Sequence, residues 1–393
     1  MSIAQKIKAS TSQSSMIRKM FEEGAILKKK YGAQNVYDFS LGNPNVEPPA
    51  DFKRELSNLA AQIIPNKHGY TPNAGYPETR QTIAEKINKT HGLKLKGEHV
   101  IMSCGAGGAL NVIFKSLLDP RDEVIVPKPY FVEYPFYVDN FGGVIKYVET
   151  HDDFSLNIEA VADAITDKTK AVLINSPNNP TGKVYSEESI ADLAQLLTDK
   201  GKKMNKAIYL VSDDPYSEII YDNIKVPSVL NAYSNSIIAS SYSKTLSLPG
   251  ERIGYIAINP EIEEAGELLN ALILCTRILG FVNAPALMQR IIAKLQDITV
   301  DVEAYKRKRD LLCSGLNQAG YKFEKPMGAF YLFPKSPIPD DVKFVNVLLK
   351  KNILVVPGSG FGGPGYFRIA FCVDDATIIN SMAGFAEAIK ECQ

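Results

Sequence analysis

The stretch KAVLINSPNNPTGKVYSEESIADLAQLLTDKGKKMNKAIYLVSDDPY, residues 170–216, decides the fold. It opens on an apolar run, Lys170–Asn175, turns through Asn, Pro and Gly, enters a helical pattern at 186–200, and closes on a second apolar run, Ala207–Ser212, that stops at Asp213. Strands that are short, apolar throughout and separated by amphipathic helices are buried on both faces, as in a mostly parallel sheet covered by helices. The same alternation extends outward. Upstream lie a helix at 80–91, strand His99–Ser103, helix 109–118, strands Glu123–Val126 and Val144–Val148, and helix 158–166; downstream lies strand Ser236–Ser240.

At the two ends the pattern changes. A helical stretch at 14–31 leads to strand Val36–Leu41 and the turn-rich segment Gly42–Pro49. After a long helical region, about 261–311, come GAFYLF (328–333), a helix at 341–351, ILVVPG (353–358), YFRIAF (366–371) and a terminal helix at 375–391. The expected architecture is an α/β chain with a large domain over 45–285 and a smaller α+β domain built from 1–44 and 286–393. A length of 393 residues suits two domains.

Composition narrows the function. Lys plus Arg total 44 and Asp plus Glu total 44, so there is no excess positive charge to neutralise nucleic-acid phosphates. Cys104, Cys275, Cys313, Cys372 and Cys392 are far apart, without a CxxC pair or a neighbouring His cluster, so neither a disulfide framework nor a metal site is expected. No signal peptide or membrane span is legible, and a cytoplasmic protein with reduced thiols is the reading.

Ligands of open parallel sheets collect beyond the carboxyl ends of the strands, and four stations there stand out. Ser103-Cys104-Gly105-Ala106-Gly107-Gly108 precedes a helix, where small residues let backbone N–H groups approach an anion; an ordinary tight turn is the alternative. The loop lacks the third glycine of a dinucleotide site, so a single phosphate suits it better. A formal GxGxxG at Gly358–Gly363 is followed by Pro364 and a strand, and is set aside as a loop. Asn178-Asn179-Pro180-Thr181-Gly182 is a station or simply a turn. Asp213, with Tyr216 three residues on, ends a buried strand, where a carboxylate needs a cation or serves as a cap. In SSYSKTLSLPGERIGY (240–255), Lys244 sits among hydroxyls and small residues with Arg252 eight positions later. A desolvated lysine near other cations loses basicity and becomes an amine able to form a Schiff base.

Together with LGNPN (41–45), YTPNAGYPETR (70–80), PYFVEYP (129–135) and MGAFYLF (327–333), these stations resemble, in order and spacing, the fold-type I pyridoxal-phosphate aminotransferases of the aspartate, alanine and aromatic group. The resemblance covers nearly the whole chain and implies pyridoxal 5'-phosphate as cofactor. It implies that Lys244 joins the cofactor and carries the proton, that Asp213 pairs with the pyridine nitrogen, and that Asn179 and Tyr216 bond the phenolic oxygen. Gly105, Ala106, Gly107, Ser241, Ser243 and Arg252 would hold the phosphate, and Phe131 would stack on the ring. Arg368 would clamp the substrate α-carboxylate, unless it is a salt bridge of the smaller domain, and Gly42 would let substrate pass the backbone. Tyr70 would reach the phosphate in a neighbouring subunit, implying a homodimer with shared sites. Asp214-Pro215 departs from the family's pattern, and Arg277 lies one position from the arginine of dicarboxylate-specific relatives.

The implied activity is ping-pong transamination between an L-amino acid and a 2-oxo acid; Arg277 argues for an aspartate-type donor, whereas Phe131, Tyr130 and Ile278 would tolerate an apolar or aromatic one. The alternatives are a carbon–sulfur β-lyase using the same lysine and, from another class, a non-catalytic pyridoxal-phosphate-binding regulator. The short N-terminal segment leaves no room for the DNA-binding domain that such regulators carry.

Overall fold

A computed structural model describes residues 3–12 and 16–392. Seven strands form the central sheet in the order Val100–Ser103, Gly254–Ile258, Ser236–Ser241, Tyr209–Asp213, Thr169–Asn175, Glu123–Lys128 and Val144–Glu149. All run parallel except Gly254–Ile258, which is antiparallel to both its neighbours. The α/β expectation holds, and the apolar runs explain why. Alternate residues of one strand feed opposite cores: Val172 and Ile174 pack in a cluster with Ile83, Leu193 and Ile291, whereas Ala171 and Leu173 pack with Ile113, Phe114 and Leu272. Each such side chain contributes about 1.5–3 kcal/mol on full burial, so a strand polar on either face would forfeit one of the two cores.

A third cluster holds Phe39, Tyr305, Phe330, Phe344, Phe367 and Phe385. It surrounds a three-stranded antiparallel sheet, Val356–Pro357, Phe367–Ala370 and Tyr331–Leu332. Beside it the N-terminal strand Tyr37–Asp38 pairs in parallel with Ile353–Leu354. Helix Ala286–Ile292 contributes Met288, Ile291 and Ile292 to the first large-sheet cluster, while Tyr216 and Ile219 join the third.

Several elements differ from expectation. The helix expected at 109–118 is Gly105–Leu117, so the glycine-rich residues form its first turn and do not precede it. The helical stretch 261–311 is three helices, Ala265–Ile278, Ala286–Ile292 and Val302–Ala319, interrupted over 279–285, which holds Gly280 (φ +87°) and Pro285, and again over 293–301. Strand Val36–Leu41 shrinks to Tyr37–Asp38, and GAFYLF to Tyr331–Leu332. The helix expected at 14–31 is Met16–Tyr31, its first two residues lying outside the described ones. Among the described residues no helix is long and apolar enough to cross a membrane.

Candidate active site

The parallel register aligns the strand ends. Asn175 lies opposite Asp213, Asp213 opposite Ala239, and Ser103 and Ser241 flank Gly254 from either side. Polar residues that follow buried apolar runs therefore gather at one sheet edge, where a cavity of about 340 Å³ opens. It is lined by Gly42, Ala106, Gly107, Phe131, Asn179, Asp213, Tyr216, Ser241, Ser243, Lys244, Arg252 and Arg368, twelve of the residues singled out in the sequence.

Lys244 occupies the short helix Tyr242–Thr245 directly after strand Ser236–Ser241. Its Nζ donates to the Gly42 carbonyl at 2.9 Å and lies 5.5 Å from the Phe330 ring centroid. Burial brings its amine down to about 8, with the Arg368 and Arg252 charges acting the same way. Lowered basicity increases the neutral, nucleophilic share of the amine near neutral pH.

Asp213 is 5% exposed, and burial pushes its carboxyl up to about 7. Tyr134 donates to Oδ2 at 2.7 Å, while Oδ1 has no partner. The Asn175 amide donates to the Asp213 carbonyl at 2.7 Å and accepts from the Asn179 backbone N–H at 2.7 Å, tying two stations into one unit. Asp214, the departure noted above, accepts from the Ser212 hydroxyl and is likewise raised to about 7 by burial.

Arg368 is 2% exposed. Its guanidinium donates to Asn179 Oδ1 at 3.0 Å and to the Ser40 carbonyl at 2.7 Å, and lies 4.7 Å from the ring centroids of both Tyr331 and Phe361. Among the described residues no carboxylate pairs with it, which removes the internal salt bridge as its explanation, and its Nε is unpartnered. A buried guanidinium without a counter-ion has the charge and the planar fork to pair with a planar anion.

Gly105 adopts φ +74°, and a Cβ there would lie 2.7 Å from Arg252 Nη2, so the arginine packs against the helix start only because the side chain is absent. At Gly42 a Cβ would come within 2.0 Å of the Tyr331 hydroxyl, so the cavity wall is Tyr331 itself, which shares a 2.9 Å hydrogen bond with Tyr216. Gly105, Tyr70 and Arg277 do not line the cavity, and Tyr70 (88% exposed) and Arg277 face outward. Tyr134, Tyr331, Asn175, Glu133 and Tyr137 belong to the site without having been singled out; PYFVEYP and MGAFYLF contain three of them, Glu133, Tyr134 and Tyr331, but only the folded contacts reveal their partners.

A family model, aminotransferase class I and II, matches residues 33–383. The chain belongs to the class I and II aminotransferases. It is 34% identical over 372 residues to a probable aspartate/prephenate aminotransferase of Aquifex aeolicus, covering 91% of this chain and 92% of that one. It is 35% identical over 356 residues to the aspartate/prephenate aminotransferase of Thermus thermophilus, covering 89% and 90%. Among solved structures, an aminotransferase from Eubacterium rectale matches at a TM-score of 0.97 and 41% identity, covering 100% of this chain and 99% of that one. The Thermus thermophilus aspartate aminotransferase with maleate matches at 0.86 and 29%, covering 99% and 100%. The protein is thus a transaminase with the fold of this family.

Proposed function

We propose that this transaminase uses pyridoxal 5'-phosphate in the cavity described above and moves an amino group between an L-amino acid and a 2-oxo acid in two half-reactions. One observation carries the reading: Asp213 and Arg368, buried and opposite in charge, each keep an unsatisfied atom, and Lys244 lines the same cavity. A protonated ring nitrogen matches Asp213 Oδ1, and an α-carboxylate matches the Arg368 fork. The cofactor supplies an aldehyde for a primary amine and a ring that draws electron density from the substrate α-carbon.

Around it the residues act as follows. Asp213 holds a proton at the ring nitrogen, with Tyr134 fixing the carboxylate. Lys244 Nζ takes the proton from the α-carbon and returns it during the amino transfer. Asn179 and Tyr216 bond the ring's phenolic oxygen, and Phe131 covers the ring face. The first turn of helix Gly105–Leu117, with Ser241, Ser243 and Arg252, holds the phosphate, where backbone N–H groups and the helix dipole favour an anion. Exposed Tyr70 and Arg277 belong to the same proposal as contributions to the cavity of a second copy in a homodimer. The relatives' names and the maleate complex support an aspartate-type substrate in one half-reaction, with Arg277 as partner of its distal carboxylate. The domains divide at residues 44/45 and 285/286, with the packing of Met288 and Ile291 moving the second boundary toward residue 300. Five unpaired cysteines fit a cytoplasmic setting.

Lys244→Ala tests the reading. The variant is expected to lose transamination and the visible absorption of lysine-bound cofactor together; undiminished turnover with aspartate and 2-oxoglutarate sinks the assignment.

A further inference from the structure

The two half-reactions share one cavity, so its wall must accept two side chains. Besides Arg368, the cations lining it among the described residues are Lys244 and Arg252, and all three already have work in the reading above. The side chain left over is acidic. Glu133 lies in the wall segment Phe131–Glu133, before the short helix Tyr134–Asp139, and its carboxylate does not cap that helix. Among the described residues that carboxylate has no hydrogen-bond or ion-pair partner, and burial raises its pKa.

A Cβ at Gly107 would lie 2.9 Å from the Tyr137 hydroxyl, so a basic side chain there would have to displace Tyr137. Tyr137 also lines the cavity, and the Glu133 charge, after burial, pushes its phenol up. Leu41, Leu110 and Val132 complete an apolar surround that strengthens any charge pairing made within it.

We infer that Glu133 determines specificity, selecting for one half-reaction an amino acid whose side chain ends in an ammonium or guanidinium group. This rests on the transaminase reading. The carboxylate accepts from the distal N–H groups, the hydrocarbon stem packs on Val132 and Leu110, and the α-carboxylate stays on Arg368.

The test uses the full chain loaded with pyridoxal 5'-phosphate. L-lysine is compared with L-norleucine as donor, and, with no turnover involved, 6-aminohexanoate is compared with hexanoate by calorimetry. Wild-type protein is expected to favour the cationic member of each pair by about tenfold, and Glu133→Gln to bring both ratios to within about twofold of unity while L-norleucine turnover is kept. Ratios unchanged by Glu133→Gln overturn the inference, as does wild-type protein that does not favour the cationic members, the result if a cation from a second copy already occupies Glu133. Equal loss of both donors in the variant also overturns it, by making Glu133 a structural residue. L-alanine and L-aspartate separate the two readings: turnover of either with no preference for lysine removes Glu133 alone, whereas no turnover of any amino acid removes the transaminase reading beneath it.

Discussion

Asp213 and Arg368 face the same cavity from different sheets, and both are buried charges without a counter-ion, yet the fold treats them differently. Asp213 has one hydrogen bond, from Tyr134, and escapes its isolation by binding a proton, its carboxyl lying near 7. Burial lowers Arg368 as well, but from so high a value that the guanidinium stays charged. It is held by Asn179, the Ser40 carbonyl and two aromatic rings, all neutral. An acid can wait for its partner in a neutral form; a guanidinium has to be housed as an ion at all times. The acidic wall is therefore adjustable and the basic wall pre-formed.

The sharpest way to break this contrast is Asp213→Asn. Its kcat is expected to fall by roughly 10²–10⁴-fold, because α-proton removal loses its electron sink, while cofactor affinity drops much less. Stopped-flow traces with α-deuterated substrate and cofactor titration measure the two, and equal losses would make Asp213 a binding residue only. The same variant has a signature in the cofactor-free protein. Asp213 is raised in the folded state, so its contribution to stability is full below the unfolded carboxyl value near 4 and is lost as pH rises toward about 7. Asp213→Asn should flatten that decline in thermal melts, leaving the part due to Asp214, which titrates in the same window.

Arg368→Lys probes the pre-formed wall. The charge remains but the fork is lost, and KM for amino and oxo acids should rise by about 10–100-fold with a smaller change in kcat, read from steady-state kinetics. An unchanged KM would place the substrate carboxylate elsewhere. The smallest effect belongs to Tyr134→Phe, worth about 1 kcal/mol. Removing a donor that favours the ionised form should move the Asp213 carboxyl further up and shift the acid limb of the cofactor's spectral titration to higher pH; a limb that stays put would reduce Tyr134 to packing.

Local signals account for what could be read from the chain. Asp213 ends an apolar run, Arg368 interrupts one, and Asn179 and Lys244 lie within four residues after one, and such discontinuities survive in one dimension. The central sheet was legible for the same reason, since its parallel strands, apart from the largely exposed edge strand Val144–Glu149, are runs buried on both faces. Strand Gly254–Ile258 was missed because GYIAI is short and opens on glycine, a poor strand former, and its direction depends on neighbours at both sides. The start of helix Gly105–Leu117 was hidden by glycines, poor helix formers that face Arg252 at Gly105, Tyr137 at Gly107 and Cys104 at Gly108. Tyr134 is 79 residues from Asp213 and Tyr331 is 115 from Tyr216, separations that carry no periodic trace.

The parallel pair of Tyr37–Asp38 with Ile353–Leu354, and the bond from Arg368 to the Ser40 carbonyl, knot the first tenth of the polypeptide to its last tenth. During translation, therefore, the early segment carrying Phe39 and Ser40 emerges long before its mates exist, and spends nearly the whole of synthesis with a core-forming aromatic uncovered. Loop closure over such a span is slow, so the surroundings of Arg368 are completed late in synthesis. Shortening either extremity past these strands should leave a product able to build the central sheet yet unable to grasp a substrate.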